Sequence, residues 1–158
     1  MSVNLNGITI GDNNPFVLIA GPCVIKKKKM ILETAEAIKK ITYEVGIPFI
    51  FKSSFKKANR TNLKSFTGLG DVESIAILNK VREQLNLSVV TDIHTESDVE
   101  MVGDAVDILQ IPAFLSRQTD LLIAAVKSNK VVNIKKGQFL APEDMKHAAD
   151  KVASTGNN

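Results

Sequence analysis

Short apolar runs alternate along the chain with longer segments in which apolar residues recur at helical spacing. Runs of this kind are expected of strands in a parallel sheet, and the first looks covered on both faces. The intervening segments predict amphipathic helices, as at residues 29–45, where Ile31, Ala35 and Ile38 share one face. Strict alternation of strand and helix predicts an α/β fold. The predicted strands are residues 16–20, 47–50, 87–90, 106–109 and 131–134.

Residues 1–14 precede this pattern and have a different character. Isolated apolar residues separated by Asn and Gly, followed by the turn sequence at 11–14, predict a small β-hairpin cap. Residues 15–158 then carry five strand-helix units, and the length of 158 residues fits a single domain. Two helix starts are marked, by Asp71 as a capping residue and by a capping box at Thr95–Asp98.

Polar side chains gather after every one of the five predicted strands. A doubly wound sheet concentrates ligands at one switch point, whereas a barrel collects them from nearly every strand. The pattern therefore favours part of a (β/α)8 TIM barrel, with the doubly wound sheet as the alternative. A full barrel needs eight such units. The strand-end residues are Cys23, Lys52, Lys57, Asn59, Arg60, Asp92, His94, Gln110, Lys135 and Gln138.

The segment at residues 51–61 is the densest of these clusters. It combines cations with hydroxyl and amide groups directly after an apolar strand. Such a cluster at the end of a strand indicates a site for phosphorylated ligands. The strand-end residues taken together suit a ligand with more than one anionic group, such as two phosphates or a phosphate and a carboxylate. For residues 51–61 there is a second interpretation. A solvated basic loop is the alternative. Cys23 is equally open to interpretation as a small buried residue, and Asp92 with His94 as a local turn hydrogen bond.

Composition excludes several classes of protein. The net charge of +3 comes from lysines spread along the chain, which does not indicate a nucleic-acid binder. No apolar run approaches the roughly 20 residues of a membrane span, and the N-terminus does not resemble a secretory signal. The single cysteine, Cys23, excludes an internal disulfide and fits a cytoplasmic protein.

Seven short motifs together resemble the 3-deoxy-D-manno-octulosonate 8-phosphate synthases, and they cover nearly the whole chain in order. The Lys-Ala-Asn-Arg and Arg-Gln-Thr-Asp motifs separate this family from the related heptulosonate-phosphate synthases. The motifs are Gly-Pro-Cys at 21–23, Phe-Lys-Ser-Ser-Phe at 51–55, Lys-Ala-Asn-Arg at 57–60, Thr-Asp-Ile-His at 91–94, Leu-Gln-Ile-Pro-Ala-Phe-Leu at 109–115, Arg-Gln-Thr-Asp at 117–120 and Asn-Ile-Lys-Lys-Gly-Gln-Phe at 133–139.

The resemblance implies the N-terminal part of an aldolase-type TIM barrel and a homotetramer. It implies condensation of phosphoenolpyruvate with arabinose 5-phosphate, with release of phosphate, for lipopolysaccharide synthesis. Matching positions would hold phosphoenolpyruvate at Lys52, Lys57, Lys135 and Gln138. The pentose phosphate would lie at Asn59, Arg60 and Thr61, with its hydroxyls near Asp92 and Gln110, and with Pro112 and Ala113 in the same site. Arg117 would reach the phosphate site of a neighbouring subunit.

Cys23 matches the metal-ligand position of the family's metal-dependent class, which implies a divalent metal. The family's later strands, which carry the other metal ligands, have no counterpart in residues 1–158. The chain also has Lys56 where the family usually has Asp, and lysines at 26–29 where it usually has acidic residues. Three hypotheses follow: a synthase present as a fragment or shortened product, a non-catalytic phosphate-ligand binding or assembly module, or an inactive truncated product.

Overall fold

The computed structural model describes residues 2–154 and 156, and these divide into two compact units. The first unit is Met1–Val90 and the second is Thr91–Asn158. A search of the described residues finds no helix long and apolar enough to cross a membrane.

The N-terminal hairpin is confirmed. β1 (Ser2–Leu5) pairs antiparallel with β2 (Ile8–Gly11), and Leu5 lies opposite Ile8. The loop between them is Asn6-Gly7, with positive φ angles of 47° and 83°, as a two-residue type I′ turn requires. The Asn6 Nδ2 group donates to Ser88 Oγ at 3.1 Å. This bond ties the hairpin turn to the strand that begins at Ser88.

Three parallel strands and two helices follow the hairpin. β3 (Leu18–Ala20) pairs with β4 (Phe49–Lys52), which pairs with β5 (Ser88–Asp92). α1 (Lys28–Glu44) connects β3 to β4, and α2 (Asp71–Leu85) connects β4 to β5. Apolar side chains from one face of each helix and from β4 are buried together, as helical and strand periodicity require. The main ones are Ile31, Ala35, Ile50, Phe51, Leu78 and Val81.

The second unit continues the same alternation. α3 (Glu96–Gly103) leads to β6 (Ile108–Ile111), and α4 (Thr119–Lys127) leads to β7 (Val131–Ile134). β6 and β7 pair in parallel. α5 (Met145–Ala153) follows a short 3₁₀ turn that begins at Pro142. The core of this second unit contains Val102, Ile108, Leu109, Ile111, Leu122 and Ala125.

The predicted fold class is confirmed as α/β, with the repeated strand-helix units of a (β/α)8 barrel after an N-terminal hairpin. The strands of the parallel sheet run in sequence order, β3-β4-β5-β6-β7. A doubly wound sheet reverses its order at the switch point, so that alternative is wrong. The capping box at Thr95 is confirmed, with Asp98 as its acidic partner.

Three local predictions differ from the structure. The first strand is predicted to be covered on both faces, but Ile19 in β3 is 41% exposed, and Phe16 before it is 68% exposed. Gly70, not Asp71, is the N-cap of α2, since the helix already includes Asp71, and the Asp71 carboxylate pairs with Lys56. The fourth predicted strand is displaced by two residues, which places Gln110 inside β6.

Candidate functional site

The end of β4 brings two lysine ammonium groups to one hydroxyl oxygen. Lys52 Nζ and Lys57 Nζ each donate to Ser54 Oγ at 2.8 Å. Ser54 is fully buried, whereas both lysines keep part of their surface in solvent. The two ammonium groups therefore lie no farther apart than twice that distance, where like charges repel. An anion bound between them would relieve this repulsion, so the pair has the chemistry of an anion site.

The segment that follows β3 fixes this cluster in place. Ser53 Oγ donates to the Pro22 carbonyl at 2.8 Å, and the Ile25 amide donates to the Ser54 carbonyl at 3.2 Å. Gly21 has a φ of 154°, and a Cβ there would lie only 2.1 Å from the Lys52 carbonyl oxygen. Only glycine permits this close approach. The Gly-Pro-Cys motif therefore holds the end of β4 that carries Lys52.

Three consecutive predicted residues line one pocket. Asn59, Arg60 and Thr61 border a cavity of about 390 Å³, together with Lys26, Ser65 and Phe66. The Arg60 Nε group donates to the Phe66 carbonyl at 3.0 Å, which orients the guanidinium group. The sequence presents Lys26 only as part of a basic run. Its place at the pocket follows from the path of the chain between β3 and α1, which residue spacing does not reveal.

Lys56 has partners in its own loop and at the start of α2. Its Nζ lies 3.3 Å from Asp71 Oδ2 and 4.8 Å from the centre of the Phe55 ring. An ion pair and a cation–π contact therefore hold this side chain. Its positive charge is matched by Asp71 in the first turn of α2, where a carboxylate also suits the helix dipole.

In the second unit, the predicted residues Asp92 and Gln110 are in direct contact. Gln110 Nε2 donates to Asp92 Oδ1, and Asn133 Nδ2 donates to Gln110 Oε1 at 3.0 Å. Asp92 is buried, with 5% of its surface exposed. β5, β6 and β7 thus each contribute one polar side chain to a hydrogen-bonded row, which is called here the amide ladder. Sequence reasoning missed Asn133 as a functional residue, although it lies in one of the seven motifs.

His94 belongs to the start of α3. The backbone amides of His94 and Thr95 donate to Asp98 Oδ2, at 2.7 and 3.2 Å, and His94 Nδ1 lies 3.5 Å from the same oxygen. Asp98 is almost fully buried. These contacts show that His94 takes part in the hydrogen bonds that begin α3.

The remaining predicted residues lie near the ends of β6 and β7. The Lys135 amide donates to the Ile111 carbonyl at 3.0 Å, and the Lys135 and Gln138 side chains are exposed. Pro112 precedes a 3₁₀ turn that begins at Ala113. Arg117 is exposed and borders a 340 Å³ pocket. The other residues of that pocket are Leu140, Asp144, His147, Ala148 and Lys151.

Cys23 is exposed, so its interpretation as a small buried residue is wrong. A search of the described residues finds no group of three His, Cys, Asp or Glu side chains able to hold a metal ion. A catalytic metal site needs about three protein ligands. Among the described residues, Cys23 therefore has too few neighbouring ligands to form a metal site.

Strand-end lysines, a polar pocket and parallel strand-helix units define an α/β protein with candidate sites for anionic ligands. The model of the family described as "DAHP synthetase I family" matches residues 1–158, and the chain belongs to this family. Within it, the chain is similar to proteins named 2-dehydro-3-deoxyphosphooctonate aldolase.

Three such relatives illustrate the similarity. The protein from Polaromonas sp. is 54% identical over 149 residues, which is 94% of this chain and 52% of the relative. The one from Syntrophotalea carbinolica is 54% identical over 151 residues, or 96% of this chain and 54% of the relative. The one from Geotalea uraniireducens is 51% identical over 156 residues, or 99% and 57%. The chain thus spans about half the length of the curated relatives it matches.

Proposed function

We propose that this chain acts as a 3-deoxy-D-manno-octulosonate 8-phosphate synthase, also called 2-dehydro-3-deoxyphosphooctonate aldolase. The reaction condenses phosphoenolpyruvate with D-arabinose 5-phosphate and releases phosphate, as a step of lipopolysaccharide synthesis in the cytoplasm. The relatives' names and the family membership support the assignment. The observation that carries it is the convergence of the Lys52 and Lys57 ammonium groups on Ser54 Oγ.

The lysines have a defined task in this chemistry. Carbon 3 of phosphoenolpyruvate attacks the sugar aldehyde, positive charge develops at carbon 2, and water adds there before phosphate leaves. Cations that hold the phosphate and the carboxylate of phosphoenolpyruvate orient its enol carbon toward the aldehyde. Their positive charges are in position before the reaction begins and stabilise these anionic groups throughout it. Lys52 and Lys57 would serve one anionic group in this way. Lys135 and Gln138 are the further residues proposed for phosphoenolpyruvate.

The pocket beside Arg60 is proposed to receive the sugar phosphate. A guanidinium held through its Nε by the Phe66 carbonyl can present its terminal nitrogens to phosphate oxygens. The Lys26 ammonium and the Asn59 and Thr61 side chains add donors at the rim of the same cavity. A carboxylate accepts hydrogen bonds through both oxygens, so the buried Asp92 is proposed to accept them from the sugar hydroxyls. Arg117 is proposed to serve a neighbouring subunit in a homotetramer.

Turnover and binding by the purified chain test this proposal. Phosphate release is measured with both substrates and with each alone, and binding of phosphoenolpyruvate is measured by titration calorimetry. Lys57→Met should weaken phosphoenolpyruvate binding by about 10-fold to 100-fold, the range for a lost hydrogen bond to a charged group. Lys40→Met, at an exposed position on α1, removes the same charge elsewhere and should leave binding within about twofold.

Each outcome has a distinct meaning. Phosphate release that requires both substrates, and that Lys57→Met reduces, supports the synthase. Binding of phosphoenolpyruvate without phosphate release would overturn the synthase and indicate a binding module. Absence of binding to a folded chain would overturn both.

A further inference from the structure

The amide ladder has a fixed direction of donation. An ionised Asp92 can only accept hydrogen bonds, so the Gln110 group that faces it must be the NH₂. The Gln110 carbonyl then faces Asn133, which must donate from its own NH₂, as the 3.0 Å contact shows. One charge at β5 therefore dictates the orientation of two amides on β6 and β7.

Asn133 is the residue that locks this orientation. An isolated Gln amide can rotate by half a turn and exchange its oxygen and nitrogen at little cost. Rotation of the Gln110 amide here would set NH₂ against NH₂ at Asn133 and carbonyl against carboxylate at Asp92. Both contacts are unfavourable, and Asp92 is 5% exposed, so water cannot readily compensate.

We propose that Asn133 is a positioning residue for the sugar phosphate: it fixes the Gln110 amide, which in turn holds the Asp92 carboxylate for the sugar hydroxyls. This inference rests on the proposed function, because it assigns the ladder to the polyhydroxy substrate. Asn133 touches no reacting atom in this arrangement. It acts through Gln110, and its loss should affect the hydroxylated ligand far more than phosphoenolpyruvate.

Two substitutions perturb the ladder in different ways. Asn133→Asp replaces the donor by an acceptor, so the Gln110 NH₂ turns toward position 133 and its carbonyl is left facing Asp92. Asn133→Leu keeps the branching and the number of side-chain heavy atoms and removes the bond without imposing a new direction. The double substitution Asp92→Asn with Asn133→Asp reverses the whole ladder, because donors and acceptors match again in the opposite direction. Asn13→Asp, at an exposed turn, is the control for the added charge.

Melting temperature tests the ladder without any ligand. Asn133→Asp should lower it by about 3 °C or more, as expected when a partly buried hydrogen bond is replaced by a repulsive contact. Asp92→Asn with Asn133→Asp should recover most of that loss, whereas Asn13→Asp should change little. Additive losses in the double variant would overturn the ladder as a coupled unit.

Calorimetry with arabinose 5-phosphate and with phosphoenolpyruvate tests the positioning role. Asn133→Asp should weaken binding of the sugar phosphate about 10-fold or more and leave phosphoenolpyruvate within about twofold. Asn133→Leu should have a smaller effect in the same direction. The reversed ladder should recover stability but not sugar affinity, because Asp92→Asn offers the ligand an amide in place of a carboxylate.

Failures of the two ideas differ in appearance. Equal loss of both affinities in Asn133→Asp, or loss of neither, would overturn the positioning role and leave the proposed function standing. A wild-type chain that binds neither substrate would overturn the proposed function and, with it, the role assigned to the ladder, while the melting temperatures would still decide the coupling of Asp92 to Asn133.

Discussion

The Lys57 ammonium group donates to the Ser54 hydroxyl at 2.8 Å, three residues back along the chain. The hydroxyl also receives Lys52 from the end of β4, again at 2.8 Å. A small neutral side chain thereby holds two cations in one place. The anion binding proposed for this region therefore depends on that shared acceptor as much as on the lysines themselves.

Ser54→Ala should weaken phosphoenolpyruvate binding by about 10-fold, because both ammonium groups lose their common anchor. The neighbouring Ser53 is an internal control, since it is equally buried but donates to the Pro22 carbonyl. Each alanine variant should lose about 1 kcal/mol in free energy of unfolding, measured with urea. Ser54→Ala should lose clearly more affinity in calorimetry than Ser53→Ala, because the Ser53 bond to Pro22 affects the lysines only through the segment after β3. Equal loss of affinity in both variants would mean that Ser54 acts through the fold alone.

Lys26→Glu should weaken binding of arabinose 5-phosphate by about fivefold at low salt, because the reversed charge faces the phosphate pocket. Lys27→Glu changes the net charge equally from the next position, which lies outside the residues that line the pocket, and should reduce affinity by less than about twofold. The difference should shrink as salt is raised, because exposed charges are screened. Calorimetry at two salt concentrations makes the comparison. If both variants lose the same affinity, Lys26 affects binding only through the net charge of the chain and has no specific place at the pocket.

Features set by local patterns could be predicted from the sequence. Alternating apolar runs and helical periods predict the α/β class, and the capping box at Thr95 predicts the start of α3. The hairpin was predicted from its isolated apolar residues, although its turn lies at Asn6-Gly7 and not at residues 11–14.

Contacts between distant segments could not be predicted in this way. Lys26 reaches the pocket of Arg60 through the path of a loop, and Asn133 meets Gln110 through the register of β6 against β7. The spacing of residues within one segment predicts neither of these two contacts. The ion pair of Asp71 with Lys56 joins α2 to the preceding loop, and spacing within the helix could not predict it either.

Lys56→Asp should destabilise this chain. The new carboxylate would face Asp71, which now lies 3.3 Å from the Lys56 ammonium. Adding Asp71→Lys should recover part of the loss by reversing the pair. Because both side chains are partly exposed, the coupling energy in a double-mutant cycle should be about 0.2–1 kcal/mol, measured by urea unfolding. A coupling of zero would mean that the pair contributes nothing to stability.

Lys28 gives the chain a stability that depends on pH. A side-chain hydrogen bond with Lys80, and then charge repulsion from the same residue, lower the pKa of Lys28 below its ordinary value of 10.5. The repulsion opposes folding while Lys28 is protonated. As pH rises through the lowered pKa toward 10.5, the folded chain releases this proton before the unfolded chain does, so stability increases. Lys80→Gln should raise stability at neutral pH and abolish this increase, as urea unfolding across that range would show. An unchanged pH profile would contradict the role of Lys80.

Gly21→Ala should be far more costly than the same change at Gly46. The added Cβ at Gly21 would lie 2.1 Å from the Lys52 carbonyl oxygen, whereas at Gly46, with a φ of 68°, it would meet nothing within 4 Å. Gly46→Ala therefore carries only the left-handed backbone penalty of about 1–2 kcal/mol. Gly21→Ala must also move the end of β4, and we expect a loss above about 3 kcal/mol in urea unfolding. A saturating concentration of phosphoenolpyruvate should recover little of the loss in Gly21→Ala, because Lys52 is displaced with its backbone. Similar losses at both glycines would show that the contact between the Gly-Pro-Cys segment and β4 yields easily, and that it does not hold Lys52 in place.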